Sequence, residues 1–182
     1  MSEKIIIMSF DSESKAFQAF SEIKTLNSTG IIKGEQMAVL KHVPNHILET
    51  KDFIDFTGND QNIKGSLIGM IIGILGGPLG ILLGWFTGSM IGSTRDMNQV
   101  RGALSIFEET IKLIPEDSMG AILIAEEEKE GHLNDLIIDK LGGKILRIDR
   151  TLVEQEIAGA KELEEETSED AKRKWFKKKE DK

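Results

Sequence analysis

The chain has no cysteine among its 182 residues, which excludes disulfides, thiolate metal sites and cysteine catalysis. It also lacks a basic excess, with 31 acidic residues against 23 basic ones and a net charge of −8. A general nucleic-acid binder needs a basic footprint to displace phosphate counterions, so nucleic acid is not an expected partner. The opening apolar run, Ile5, Ile6, Ile7 and Met8, is too short for the core of a signal peptide, and acids follow at Asp11 and Glu13. No Gly-x-Gly-x-x-Gly occurs, and Lys64-Gly65-Ser66 has neither the spacing nor the order of a P-loop. His42 and His46 flank a turn containing Pro44 while His132 is remote in sequence, so no metal-ligand spacing is present and no metal is expected. Glu126, Glu127, Glu128 and Glu130 lack the alternating oxygen ligands and glycine of a calcium loop. Ser9, Ser12 and Ser14 show no nucleophile elbow, and Ser12 suits a helix cap better. The expectation is a protein without catalytic residues or cofactor, and not an enzyme.

What is there reads as α+β. Ile5 to Met8 suit a buried strand, and Ala16, Phe17, Phe20, Ile23 and Leu26 then recur on one face of a helix. Met37 to Val43 and Ile47 to Phe53 form two strands around the turn residues Pro44 and Asn45. Met97, Val100, Leu104, Phe107, Ile111 and Ile114 step by three and four, the pattern of an amphipathic helix that Pro115 ends. Met119 to Ala125 is an apolar strand. Leu133, Leu136, Ile137 and Leu141 make a short helix stopped by Gly142 and Gly143, and Lys144 to Asp149 is a final strand. The order βαββ, insertion, αβαβ contains in its first six elements the split βαβ pattern of a ferredoxin-like sandwich. The chain therefore divides into 1–62 and 96–150 as two halves of that domain, 63–95 as an insertion and 151–182 as a charged helix or tail.

The insertion is the most informative segment. From Gly65 to Thr94 there is no charge over 30 positions, and nine of the chain's 18 glycines lie there. Gly65, Gly69, Gly73 and Gly77, and then Gly76, Gly80, Gly84, Gly88 and Gly92, form two runs of period four that meet at Gly76-Gly77-Pro78. On a helix this leaves one face bare enough for a second helix to approach closely. Glycine in a water-exposed helix costs roughly 1 kcal/mol relative to alanine, so the pattern calls for a setting supplied by lipid or a partner. A single span of about 27 residues, roughly 40 Å, exceeds the ~30 Å hydrocarbon core and would split the sheet across the bilayer. Two helical arms turning at Gly76, Gly77 and Pro78 keep both halves of the domain on one side, and the hairpin is the preferred geometry. Each arm falls short of the length needed to cross, so the hairpin dips in, thins the bilayer or assembles with copies of itself. A water-soluble oligomer sealed by the glycine faces is the alternative.

With these elements in hand, the chain resembles the bacterial family called domain of unknown function 1269, described as predicted membrane proteins. The resemblance covers about Lys4 to Glu156. It rests on the opening strand into Phe10-Asp11, the helix with Ala16 and Phe20, the Gly76-Gly77-Pro78-Leu79-Gly80 turn within the glycine pattern, and the Gly142-Gly143-Lys144-Ile145-Leu146 return. It implies a ferredoxin-like domain interrupted by a glycine-zipper hairpin and a membrane location, and it carries over no activity or catalytic residue.

The charged extension from Glu162 to Lys182 departs from that family. Eight acids against the single base Lys161 fill Glu154 to Asp170 and read as a solvated helix or spacer. Lys172, Arg173, Lys174, Trp175, Phe176, Lys177, Lys178 and Lys179 then set six positive charges around two aromatics. Each base near an anionic leaflet contributes ~1 kcal/mol and tryptophan favours the interface, so this end, with Trp85, is a candidate membrane-surface contact; a soluble tail or a nucleic-acid contact are the alternatives. The functional expectation is a non-enzymatic protein on the cytoplasmic side of the cell membrane, bound to anionic lipid and self-associating through the zipper, with an envelope or stress role. The competing expectation is a soluble oligomeric small-ligand sensor with the zipper at its subunit interface.

Overall fold

The computed structural model describes residues 2–58, 63–81, 83 and 104–180, with side chains described as far as residue 166. Five strands make one sheet: β1 (Lys4–Phe10), β2 (Ile32–Val43), β3 (Ile47–Asp55), β4 (Met119–Glu127) and β5 (Lys144–Asp149). Their order is β3-β2-β4-β1-β5, and every neighbouring pair is antiparallel. It follows that β1 runs parallel to β2 with β4 between them, and β4 parallel to β5 with β1 between them. Helix α1 (Glu13–Ser28) joins the first of these pairs. Helix α4 (Gly131–Asn134), continued by a π-helical turn (Asp135–Lys140), joins the second.

This order differs from the one implied by taking the first six elements in sequence. That assignment sets β3 beside β1 at the sheet centre, whereas β3 is an edge strand paired only with β2. The sequence of β3 explains the difference. Its burial alternates weakly, with Glu49, Thr50, Lys51 and Asp52 exposed, while β4 is apolar on both faces and fully buried from Met119 to Ala125. A strand without water on either side belongs in the middle.

The alternation of β1 divides the core. Ile6, Met8 and Phe10 face α1 and α4, where they meet Ala16, Phe20, Ile23, Leu133 and Ile137. Ile5 and Ile7 face a second helical layer. That layer consists of α2 (Leu67–Leu75), α3 (Ser105–Leu113) and α5 (Arg150–Glu180). It contributes Ile68, Ile71 and Leu75, then Phe107 and Ile111, then Val153, Ile157 and Ala160. The protein is thus a three-layer α+β structure rather than a sheet with one covered face. Each of these fully buried aliphatic side chains contributes about 1.5–3 kcal/mol, so the start of the insertion and the start of the tail helix share one core with the sheet.

Local signals are met in detail. Gly142 has φ +65 and caps the turn before β5, its N–H donating to Ile138 O at 3.1 Å. Ser12 occupies the N-cap of α1 but makes no side-chain cap bond. The helix expected from Met97 is seen from Ser105, with Leu104 buried as its non-helical N-cap, while Met97 and Val100 lie outside the described residues. Ser66 does cap α2: its Oγ accepts the Gly69 N–H at 3.0 Å and donates to Ile63 O at 2.9 Å. Ser66→Ala is expected to cost about 1–2 kcal/mol and to lower the melting midpoint by about 2–8 °C. A thermal melt that does not move would show that the cap adds nothing.

Candidate functional site

The glycines of the insertion divide by what surrounds them. Gly65 ends a 3-10 turn (Ile63–Gly65) that precedes α2, and a Cβ there or at Gly73 would meet nothing within 4 Å. At Gly69 a Cβ would lie 1.7 Å from Ile63 O, and at Gly80 1.8 Å from Leu75 O. Close approach of the chain to itself therefore requires glycine at Gly69 and Gly80, while Gly65 and Gly73 leave an open surface. Gly76 ends α2, and Pro78 begins a new helical turn in which Ile81 N–H donates to Gly77 O at 3.1 Å. The helix is thus interrupted at Gly76 and Gly77, and the course of the second arm beyond Leu83 lies outside the described residues. Gly84, Trp85, Gly88 and Gly92 lie outside the described residues. Lipid or a partner is not needed for the large side chains of the first arm, because the protein's own sheet covers Ile68, Ile71 and Leu75. Among the described residues no helix is long and apolar enough to cross a membrane.

Between α2 and α5 runs an open cleft of about 580 Å³, with Ser66, Leu67 and Met70 on one wall and Arg150, Glu154 and Lys161 on the other. Arg150 organises its end. Its guanidinium donates to Glu3, to Glu35 Oε2 at 2.7 Å and to Glu154 Oε1 at 2.8 Å. Burial pushes the Glu35 carboxyl above the usual carboxylate range, neighbouring Glu3 adds to this, and Arg150 opposes it. These acids are matched to an arginine of the same chain. Lys172, Arg173, Lys174, Trp175, Phe176, Lys177, Lys178 and Lys179 fall in the last turns of α5, which continues unbroken to Glu180.

The other polar constellation was not legible as a unit. His42, near the end of β2, is 2% exposed. Its ring Nδ1 lies 2.5 Å from Ile114 O, and because a carbonyl only accepts, Nδ1 carries the proton and Nε2 keeps its lone pair. Its backbone N–H donates to Ser118 O at 3.0 Å and its O accepts from Asp117 N–H at 2.8 Å. Three bonds thus bind the 114–118 loop to β2. Across the hairpin turn, Asn45 and His46 both have positive φ, +70 and +59. His46 N–H donates to Glu116 Oε1 at 2.9 Å. Its buried Nδ1 is 3.2 Å from the same oxygen but makes no hydrogen bond. One potential ligand atom from each of His42, His46 and Glu116 lies within 4.8 Å of the others. His132, on α4, takes no part in this group.

Comparison of the chain with known protein families, with curated proteins and with solved structures gave no match.

Proposed function

We propose that this is a non-enzymatic, membrane-associated protein that self-associates through the exposed side of α2 at Gly73 and the uncharged residues after it. In this reading its body is ferredoxin-like, in the manner of the domain of unknown function 1269 family. The order β5-β1-β4-β2, with α1 and α4 as its two crossovers, supports the ferredoxin-like reading once β3, α2 and α3 are taken as inserted elements. The observation that carries the functional reading is the asymmetry of α2. Its isoleucine side is sealed on the sheet, while Gly73 is exposed with nothing within 4 Å of an added Cβ. An exposed glycine inside a helix is poorly stabilised by propensity and leaves room for a close neighbour. Gly84 to Thr94 continue without a charge, and Lys172 to Lys179 supply a basic partner for anionic lipid. An envelope or stress role on the cytoplasmic face of the cell membrane belongs to the same proposal.

Flotation with anionic phosphatidylglycerol vesicles tests it. The intact chain is expected to float, and a variant with Gly84–Thr94 replaced by polar residues, which leaves α2 in place, is expected to stay at the bottom. Gly73→Leu is expected to reduce crosslinked oligomers with no loss of thermal stability. If both chains stay in solution while crosslinking still yields a Gly73-dependent oligomer, the membrane reading fails. A soluble oligomer then replaces it, a reading favoured by the burial of the α2 side chains on the chain's own sheet.

A further inference from the structure

We propose that His42, His46 and Glu116 form a binding site for a divalent cation of the zinc class, which clasps the two ends of the segment that runs from β3 through α2 to α3. The donor set is two imidazole nitrogens and one carboxylate, which suits Zn²⁺, Co²⁺ or Ni²⁺ and is a poor match for the all-oxygen demands of Ca²⁺ or Mg²⁺. With three protein ligands, a tetrahedral ion keeps one position for water.

Four features of the geometry support a site rather than a chance cluster. The carbonyl of Ile114 fixes the His42 tautomer and orients its ring, the arrangement in which a metal-bound histidine is held by an outer partner. His46 has a buried ring nitrogen with no hydrogen bond, 3.2 Å from a carboxylate oxygen off the hydrogen-bonding direction. A cation between the two would satisfy both. Its backbone, at φ +59, belongs with Asn45 to the tight turn between β2 and β3, which sets the His46 ring beside the 114–118 loop. Asp117, next to Glu116, is also left-handed at φ +65, and its N–H is bound to His42 O. The Asp117 bond ties the residue next to Glu116 to the backbone of His42.

The separation of up to 4.8 Å exceeds the roughly 3.3–3.5 Å between donors of a tetrahedral zinc ion with bonds of about 2.0–2.2 Å. The adjustment falls on the two ligands free to make it. The side chains of Glu116 and His46 are 38% and 23% exposed, whereas His42 is fixed in the core. His42 and His46 stand just before β3 and Glu116 just after α3, so an ion here joins two points about 70 residues apart in sequence. Loop closure of that length favours the bound state over the unfolded one.

The test uses the full chain, dialysed against EDTA and titrated with Zn²⁺ and Co²⁺. Wild type is expected to bind one equivalent, to show the visible absorption of nitrogen-ligated Co²⁺ and to melt at a higher temperature with Zn²⁺. Glu116→Gln keeps an acceptor for the His46 N–H, and His46→Asn keeps a residue that tolerates the left-handed backbone. Each is expected to fold like wild type without metal and to lose at least about tenfold in Zn²⁺ affinity. His132→Ala is expected to bind like wild type. No Co²⁺ absorption and no Zn²⁺-dependent shift in wild type would overturn the proposal. So would wild-type affinity in both Glu116→Gln and His46→Asn, which would assign the binding to the acidic residues of α5.

Discussion

Replacing Arg147 by methionine is expected to destabilise the protein by about 3–5 kcal/mol. Arg147 on β5 reaches over the end of β1 to Glu127 on β4. Its Nε donates to Glu127 Oε2 at 2.6 Å and its Nη2 to Oε1 at 3.1 Å. The remaining donors go to Asn134 Oδ1 at 2.9 Å and Glu130 O at 3.2 Å, tying the α4 connection to the same group. The two side chains are 13% and 3% exposed, so loss of the guanidinium strands a carboxylate with almost no water. A buried pair contributes little compared with apolar groups of the same size, but a broken one is expensive. The double variant Arg147→Met, Glu127→Leu is therefore expected to recover most of the loss. Urea unfolding of both proteins checks this; a double variant as unstable as the single one would mean that the guanidinium acts through α4 rather than through the ion pair.

Gly69→Ala is expected to destabilise the protein by at least about 2 kcal/mol, towards the top of the range of roughly 1–3 kcal/mol for overpacking. The added Cβ would sit 1.7 Å from Ile63 O, an oxygen that already accepts from Ser66 N–H and Ser66 Oγ. The neighbour in conflict is backbone, and moving it opens the α2 cap. One turn later in the same helix the sign reverses. Gly73→Ala meets nothing within 4 Å and is expected to stabilise the isolated protein by about 0.5–1 kcal/mol through helix propensity. Paired thermal melts decide it. Equal effects at the two positions would mean that the glycines of α2 share one reason for being there.

That pair also marks the limit of what the sequence tells. A period of four on the page suggests one cause for Gly65, Gly69, Gly73 and Gly77, yet Gly65 and Gly73 are open while a Cβ at Gly69 or Gly77 would meet backbone oxygen, and the contact at Gly69 comes from a turn no pattern announces. Strands β1, β4 and β5 and helix α1 were legible from apolar runs and periodicity, as was the stop at Gly142. The extension of β2 back to Ile32 was not, since Lys33, Gly34, Glu35 and Gln36 are polar and are held by pairing with β4 around a bulge. Strand order was equally hidden, being a property of distant partners. The burial of Ile68, Ile71 and Leu75 on the sheet escaped notice because spacing shows that a face is apolar without naming what covers it. His42 and His46 flank a turn without metal-ligand spacing in the sequence; Glu116 joins them only through the 114–118 loop, and the left-handed backbone at His46 has no reliable sequence mark.

The strand order has a consequence in time. Both neighbours of β1 are β4 and β5, and both follow the insertion in the chain. As the protein leaves the ribosome, β1 waits unpaired while the whole of Gly65–Thr94 is made. At about 5–20 residues per second, the interval between Thr94 and the completion of β4 at Glu127 is roughly two to seven seconds. During those seconds the sheet that finally covers Ile68, Ile71 and Leu75 lacks β4 and β5, and the β2–β3 hairpin is the part of it already made. The order of synthesis makes α2 wait on β4 for the completion of its own cover.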